Sequence, residues 1–168
     1  MGAQCDAGSP KPPRHGGSRA DRGGPPLGST AAMSTPPAGF TAIEDPGPFL
    51  LHIGPLYLRD DEDGGPALGM RATDTHANAA GAIQGGLLAT LCDTACGHAI
   101  RARAEDAISG AVTISLTTDY LAPAKPGAWL EARTKVEKLG GRLAFADCSV
   151  TADGREVVRA RAVFSVLD

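Results

Sequence analysis

The chain has 168 residues, a length sufficient for one domain with a sizeable core. Its formal net charge is −3. Residues 1–40 carry four basic and two acidic side chains, so the rest is acidic and does not favour nucleic-acid binding. No apolar run approaches the roughly 20 residues of a membrane span, and the start lacks the apolar core of a signal peptide. We therefore expect no nucleic-acid partner, no membrane anchor and a cytoplasmic location.

Residues 1–40 are predicted to form a disordered tail. They are rich in Gly, Pro and Ser and contain almost no large apolar side chain before Phe40, so they bury too little surface to offset the entropy of ordering. Met33, followed by STPPAGF, is a candidate start, in which case the preceding residues would not be native. The folded domain is expected over residues 41–168.

The domain is predicted to be α+β, because a helix-like segment lies among strand-like runs. The helix is expected over residues 84–104, and the strands over 55–60, 66–74, 110–121, 127–139, 142–152 and 155–167. Gly140-Gly141 and Asp153-Gly154 are two-residue hairpin signals, since both positions can adopt positive φ. One long helix would then be covered by the apolar face of an antiparallel sheet of about six strands.

A polar, glycine-rich segment precedes the helix. Gly85 and Gly86 stand at the helix start, where backbone N–H groups lack intrahelical partners and a ligand oxygen can approach closely. The helix dipole adds affinity for developing negative charge, so the pair suits an oxyanion hole, although a glycine pair is also common in plain loops. Asn78 could turn the chain or position a ligand or water. For His76 a structural hydrogen-bonding role is favoured.

The helix itself has two different faces. At about 100° per residue, one apolar stripe should pack on the sheet, formed by Leu88, Leu91, Cys92, Ala95 and Ala99. Asp93 lies on a second face, among the small or apolar residues Gly86, Ala89, Gly97 and Ile100. Small residues suggest close approach by another backbone, most simply a second subunit. Asp93 would then be half-buried at an interface, as suits a general base or nucleophile. The helical wheel alone equally allows a solvated surface residue.

The four cysteines do not indicate a disulfide framework. Cys5, Cys92, Cys96 and Cys148 are few and scattered, so a reduced compartment is expected. Cys92, Cys96 and His98 are close in sequence, but cysteines four apart on an apolar helix usually behave as small hydrophobic residues. We predict no metal site.

The motif His76, Asn78, Gly81, Gln84, Gly85, Gly86 and Asp93 resembles that of the hotdog-fold acyl-CoA thioesterases of the phenylacetyl-CoA (PaaI-like) type. That family's pattern has His-x-Asn-x-x-Gly-x-x-His-Gly-Gly, then Asp seven residues after the second glycine of the pair. The run from Tyr120 to Ala124 also resembles the Tyr-Leu-x-Pro-Ala turn of the family, and the likeness covers about residues 45–167. Gln84 replaces the commoner His, so a proton-transfer role is not expected there.

The resemblance implies a fold, an activity and roles for individual residues. It implies hydrolysis of acyl-CoA in a hotdog fold, with coenzyme A entering only as part of the substrate and no other cofactor. Gly85 N–H would polarise the thioester carbonyl, and Asp93 of the neighbouring subunit would act as general base or nucleophile. Asn78 would hold the carbonyl or the attacking water, and Thr113 would help to orient that water. The chain would form a dimer or a dimer of dimers.

Further residues are candidates for substrate binding. Gln84, Gly86 and His76 belong to the motif itself, and the basic side chains Lys138, Arg142 and Lys125 could meet the phosphates of coenzyme A. Each basic residue could equally be ordinary solvated surface.

Two other functions fit the same fold less well. A β-hydroxyacyl dehydratase would need a His-Phe-Pro-x-x-Pro loop, but here Ala77 follows His76. The alternative to a thioesterase is a non-catalytic acyl-CoA-binding module, a sensor or scaffold. Such a module would keep the glycine pair and could dispense with the carboxylate of Asp93.

Overall fold

The computed structural model describes residues 35–61, 65–105 and 107–167. Most of the predicted tail, together with Met33 and Cys5, lies outside these described residues, so the expectations for that segment stay predictions. In the described part of the chain, no helix is both long and apolar enough to cross a membrane.

One long helix packs against a single antiparallel sheet, as predicted for an α+β domain. Within the described ranges, the helices are α1 (Pro48–Ile53) and α2 (Gly85–Ala104), and a 3-10 turn spans Asp74–His76. The strands are β1 (Thr41–Ala42), β2 (Tyr57–Asp61), β3 (Gly65–Arg71), β4 (Gly110–Tyr120), β5 (Trp129–Leu139), β6 (Leu143–Ala152) and β7 (Arg155–Leu167). Their order across the sheet is β1-β2-β3-β5-β6-β7-β4, so β4 forms one edge.

The predicted helix and six strands are all present, but the sheet has a seventh strand. The extra strand, β1, has only two residues, too few to show an alternating pattern in the sequence. The second predicted strand, 66–74, extends too far, since β3 ends at Arg71 and Asp74 already belongs to the 3-10 turn. The short helix α1 was also missed, because six residues with no buried side chain show no helical period.

The core lies between α2 and the sheet. Every residue of the predicted apolar stripe is at most 3% exposed, which confirms that this face packs on the strands. Ile100, which shares the second face with Asp93, is fully buried within the chain. On that second face Gly86 is exposed, and Ala89, Asp93 and Gly97 are half-buried.

The two hairpin signals have different outcomes. Asp153 and Gly154 have φ of 48° and 84°, which confirms the predicted tight turn between β6 and β7. Gly140 and Gly141 do not adopt positive φ, so the expectation of the same turn there was wrong. In the turn between β5 and β6, the N–H of Gly140 instead donates to the carbonyl of Leu143 (2.9 Å).

Phe40 anchors the chain to the sheet just before β1. Its ring meets that of Trp129 edge-on, with 5.0 Å between centroids, and both side chains are buried. Gly69 makes this contact possible, since a Cβ there would overlap the indole ring. Phe40, the first large apolar residue after the Gly- and Pro-rich segment, is therefore part of the folded domain.

Candidate active site

The loop before α2 is shaped by Asn78. Its side-chain Oδ1 accepts hydrogen bonds from the backbone N–H groups of Ala80 (2.9 Å) and Ala82 (3.3 Å). The N–H of Asn78 donates to the carbonyl of Ala82 (2.7 Å), and Gly81 takes a φ of 77° to complete the turn. Asn78 Oδ1 therefore holds the loop, and the side-chain NH2 is the part that can donate to a ligand.

Both ring nitrogens of His76 make hydrogen bonds within the chain. Nδ1 accepts from the backbone N–H of Thr73 (2.9 Å), and this contact assigns the ring proton to Nε2. Nε2 donates to the carbonyl of Ile53, the last residue of α1 (2.7 Å). This geometry matches the structural role that the sequence favours for His76, and it ties α1 to the loop that carries Asn78.

The start of α2 presents unpaired backbone donors. Among the described residues, no acceptor pairs with the N–H of Gly85 or Gly86, the first two helical residues. Gln84 precedes them with extended backbone, and its exposed side chain makes no capping hydrogen bond. Buried Ile83 fixes the position of the loop, since its N–H donates to the carbonyl of Ala124 (2.9 Å). The arrangement can hold a carbonyl oxygen as its negative charge grows.

Tyr120 holds the helix start from the end of β4. Its hydroxyl donates to the carbonyl of Gly85 (3.0 Å), and a Cβ at Gly85 would lie only 3.2 Å from the tyrosine ring. A Cβ at Gly86 would meet nothing within 4 Å. Sequence reasoning quoted Tyr120 only as part of a turn and missed this contact, which has no local sequence signal because the two residues are 35 positions apart.

Asp93 and Thr113 are in direct contact. The hydroxyl of Thr113 donates to Oδ1 of Asp93 at 2.6 Å, and both residues are half-buried. The register of β4 against β7 shifts between Thr113 and Ser115, which leaves Ile114 as the extra residue of a β-bulge. A bulge re-aims neighbouring side chains, so this irregularity accompanies the contact between Thr113 and the helix. The structure thus brings together two of the four predicted catalytic residues.

Gly85, another predicted catalytic residue, lies apart from Asp93. Gly85 and Asp93 are eight residues apart on the same helix, and a rise of about 1.5 Å per residue separates them by about 12 Å. A base and an oxyanion donor that act on one carbonyl must each be within about 3 Å of the reacting groups. Within one chain, Gly85 and Asp93 therefore do not form one site.

A groove of about 460 Å³ opens beside Asp93, between α1, α2 and β4. Phe49 and Leu50 of α1 line it, and sequence reasoning missed both because it placed no element over these residues. The Gly-Pro step at Gly47-Pro48 is the signal that could have revealed α1, since proline is favoured in the first turn of a helix.

A larger concavity lies on the solvent-facing side of the sheet. It has a volume of about 1030 Å³ and is lined by charged side chains such as Arg133, Asp147 and Arg161. None of the predicted site residues lines it, so the smaller groove is the one connected with the candidate chemistry.

The basic candidates for phosphate binding are exposed and lie in two separate places. Paired residues form a row across β5, β6, β7 and β4 that runs from Leu139 through Phe164 to Thr113. At about 4.8 Å per strand, the turn that carries Lys138 and Arg142 begins about 14 Å from Thr113. Lys125, in contrast, directly follows Ala124 and so borders the loop that leads into α2.

Cys92, Cys96 and Cys148 belong to the interior rather than to the site, and His98 is half-buried. Cys92, Cys96 and Cys148 are free thiols and are buried between α2 and the sheet. Hydrogen bonding with Cys148, together with burial, raises the pKa of Cys92 and Cys96, so these thiols stay protonated and unreactive. Burial, helped by the positive charge of Arg101, lowers the pKa of His98.

Comparisons with a family model and with a curated relative both connect this chain with esterases and thioesterases. A model of the thioesterase superfamily matches residues 80–159, which include the glycine pair, Asp93 and Thr113. A Pseudomonas aeruginosa protein named "Putative esterase PA0474" is 36% identical over 132 residues, covering 79% of this chain and 98% of that protein.

Solved structures give the same result for the fold. A mutant of the phenylacetic acid degradation protein PaaI from Thermus thermophilus is 27% identical, with a TM-score of 0.64, covering 72% of this chain and 100% of that one. A hypothetical thioesterase with coenzyme A from Streptococcus pneumoniae is 23% identical, with a TM-score of 0.60, covering 66% of this chain and 87% of that one. These likenesses confirm the predicted hotdog fold.

Proposed function

The chain belongs to the thioesterase superfamily, and we propose that it hydrolyses acyl-CoA thioesters to a carboxylic acid and free coenzyme A. The observation that carries this proposal is the Asp93 carboxylate, which is half-buried, bonded to Thr113 and placed on the wall of an apolar groove. A carboxylate in that setting can take a proton from water or attack a carbonyl carbon.

In the direct route, Asp93 removes a proton from a water molecule as the water oxygen adds to the thioester carbonyl carbon. The hydrogen bond from Thr113 fixes the orientation of the carboxylate, and the hydroxyl oxygen of Thr113 can accept a hydrogen bond from the same water. The carbonyl oxygen gains negative charge and is held by the N–H of Gly85, with Asn78 as a further donor. The carbon–sulfur bond then breaks, and the coenzyme A thiolate leaves and is protonated.

In the covalent route, Asp93 itself attacks the carbonyl carbon and expels the thiolate. The product is a mixed anhydride between the acyl group and Asp93, which water then hydrolyses to restore the carboxylate. Both routes use the same oxyanion donors and require no cofactor beyond the coenzyme A of the substrate. Either way, the exposed amide of Gln84 can hydrogen-bond the substrate but cannot supply a proton.

We propose that each site combines Gly85 of one subunit with Asp93 of another, because about 12 Å separates the two residues within one chain. The small-residue face of α2 around Asp93 allows a second subunit to approach the helix closely. A homodimer, alone or paired into a tetramer, would then be the active form.

The edge strand β4 is the surface proposed to form this dimer. It is 11 residues long, and in the described part of the chain its outer side pairs with no strand. Val112 and Ile114 on it are 54% and 59% exposed, and an unprotected apolar edge favours pairing with another strand. Antiparallel pairing of two β4 strands would join the sheets and bring Thr113 and Asp93 to the interface.

The remaining candidates take supporting roles in this proposal. Gly86 leaves space for the substrate at the helix start, and His76 acts by holding the loop and α1 in place. Lys125 borders the oxyanion loop, and Lys138 or Arg142 of the second subunit can meet a phosphate. We expect the enzyme to act in the cytoplasm, where acyl-CoA is available.

The test is thiol release from a panel of acyl-CoA substrates by the wild type and Asp93→Asn. We expect wild-type turnover and a loss of at least about a hundredfold in kcat in the variant, the scale of a missing base or nucleophile. Thermal unfolding of both proteins would exclude misfolding as the cause. A wild type that binds acyl-CoA without releasing thiol would refute the proposal and identify the chain as a binding module.

A further inference from the structure

The groove beside Asp93 has apolar walls from three separate elements. The apolar lining comes from Phe49 and Leu50 of α1, Ala89 of α2 and Leu116 of β4. Besides Asp93, the other lining residues are the threonines at positions 90 and 94 of α2. Since Asp93 is part of the lining, a thioester whose carbonyl reacts at this carboxylate has its acyl group within reach of these walls.

We propose that this groove binds the acyl group of the substrate, that the group is apolar and uncharged, and that Phe49 sets its preferred size. This inference rests on the proposed thioesterase function and adds the class of acyl group to it.

The chemistry of the lining disfavours negatively charged occupants. Among the described residues, no lysine, arginine or histidine lines the groove, so the phosphates of coenzyme A find no counter-charge there. An acyl group that ends in a carboxylate would lose its hydration without gaining a partner and would face the negative charge of Asp93. The Thr90 hydroxyl already donates to the carbonyl of Gly86 (2.9 Å), which reduces its capacity to hold a polar acyl group.

Phe49 is well placed to respond to the length of the acyl group. Its side chain lines the groove and is 64% exposed, so a bound acyl group can cover apolar surface of its ring. The helix that carries it has no buried residue, and its last carbonyl is held by His76. Leu51, two positions further on the same helix, is 58% exposed but does not line the groove. The two side chains therefore form a matched pair, of which only Phe49 can contact a bound acyl chain.

The experiment measures kcat/KM of the wild type, Phe49→Ala and Leu51→Ala with acetyl-, pentanoyl- and glutaryl-CoA. Each methylene that enters the groove should raise kcat/KM about fourfold, so pentanoyl-CoA should exceed acetyl-CoA by up to about 60-fold. Glutaryl-CoA has the same carbon number as pentanoyl-CoA but ends in a carboxylate, and it should react at least about tenfold more slowly. Phe49→Ala should reduce the pentanoyl-to-acetyl ratio about tenfold, and Leu51→Ala should leave it unchanged.

Several results would overturn the inference without touching the proposed function. If Phe49→Ala lowers kcat/KM equally for all substrates, or acts like Leu51→Ala, Phe49 does not select the acyl group. A change in oligomeric state of Phe49→Ala by light scattering, with the substrate ratio intact, would show that a second copy of the chain covers the groove. Glutaryl-CoA reacting as fast as pentanoyl-CoA would exclude an apolar acyl site. By contrast, a wild type that binds acyl-CoA but hydrolyses no thioester of the wider panel would defeat the proposed function itself.

Discussion

Replacing Thr113 by valine should weaken catalysis strongly while leaving the fold intact. Valine keeps the branched shape and suits a strand, but it removes the hydroxyl that donates to Asp93 at 2.6 Å. The Asp93 carboxylate would then be free to rotate away from the position in which it meets the water or the thioester.

The size of the effect follows from the type of hydrogen bond. A bond to a charged group contributes about 1.5–3 kcal/mol, and about 1.4 kcal/mol corresponds to a tenfold change in rate. If the bond orients Asp93 in the transition state, Thr113→Val should lower kcat by about 10- to 150-fold, with a smaller change in KM.

The assay is steady-state thiol release from the best acyl-CoA substrate, together with thermal unfolding of each variant. Thr113→Ser keeps the hydroxyl and should retain most of the activity, which separates loss of the hydrogen bond from loss of the methyl group. In a double-mutant cycle, Thr113→Val should cost almost nothing further in a protein that already carries Asp93→Asn. A Thr113→Val variant with wild-type kcat, or additive losses in the double variant, would refute the idea that Thr113 acts through Asp93.

Two further variants test the oxyanion side of the site. Gly85→Pro removes the N–H of the first helical residue, where proline is tolerated after the extended backbone of Gln84. The kcat of this variant should fall about 100-fold or more. Gly85→Ala also crowds Tyr120 but keeps the N–H, so it should lose much less activity. Asn78→Asp keeps the acceptor for the two loop amides but loses the side-chain donor, so kcat should fall with little change in thermal stability. An equal loss of stability in Asn78→Asp and Asn78→Ala would contradict the idea that the oxygen holds the loop and the NH2 group serves the substrate.

The sequence predicted the regular elements well because their hydrophobic periods are long. The period of 2 in β5, β6 and β7 and the stripe on α2 each extend over ten or more residues, which leaves little ambiguity. Two of the elements that were missed, β1 and α1, have two and six residues, and neither contains a buried side chain. Short elements of this kind are held by contacts with distant parts of the chain, such as the bond from His76 to the end of α1.

The sequence likewise predicted some residues of the candidate site but not the contacts between them. The motif around Gly85 and Asp93 was visible from spacing and from the family resemblance, and Thr113 was expected near the reaction. The 2.6 Å contact of Thr113 with Asp93 could not be predicted, because it depends on the bulge at Ile114 and on how α2 lies across the sheet. Tyr120 was missed for the same reason, since its contact with Gly85 joins the far ends of two elements.

The central claim, that each site is shared between two subunits, is tested most directly by hybrid dimers. Asp93→Asn and Gly85→Pro subunits with different affinity tags would be co-expressed, and the dimers that carry both tags isolated. In such a hybrid one site contains both altered residues and the other contains neither, so activity should return to about half that of the wild-type dimer. Hybrids no more active than either parent variant would contradict a site built from Gly85 of one subunit and Asp93 of its partner.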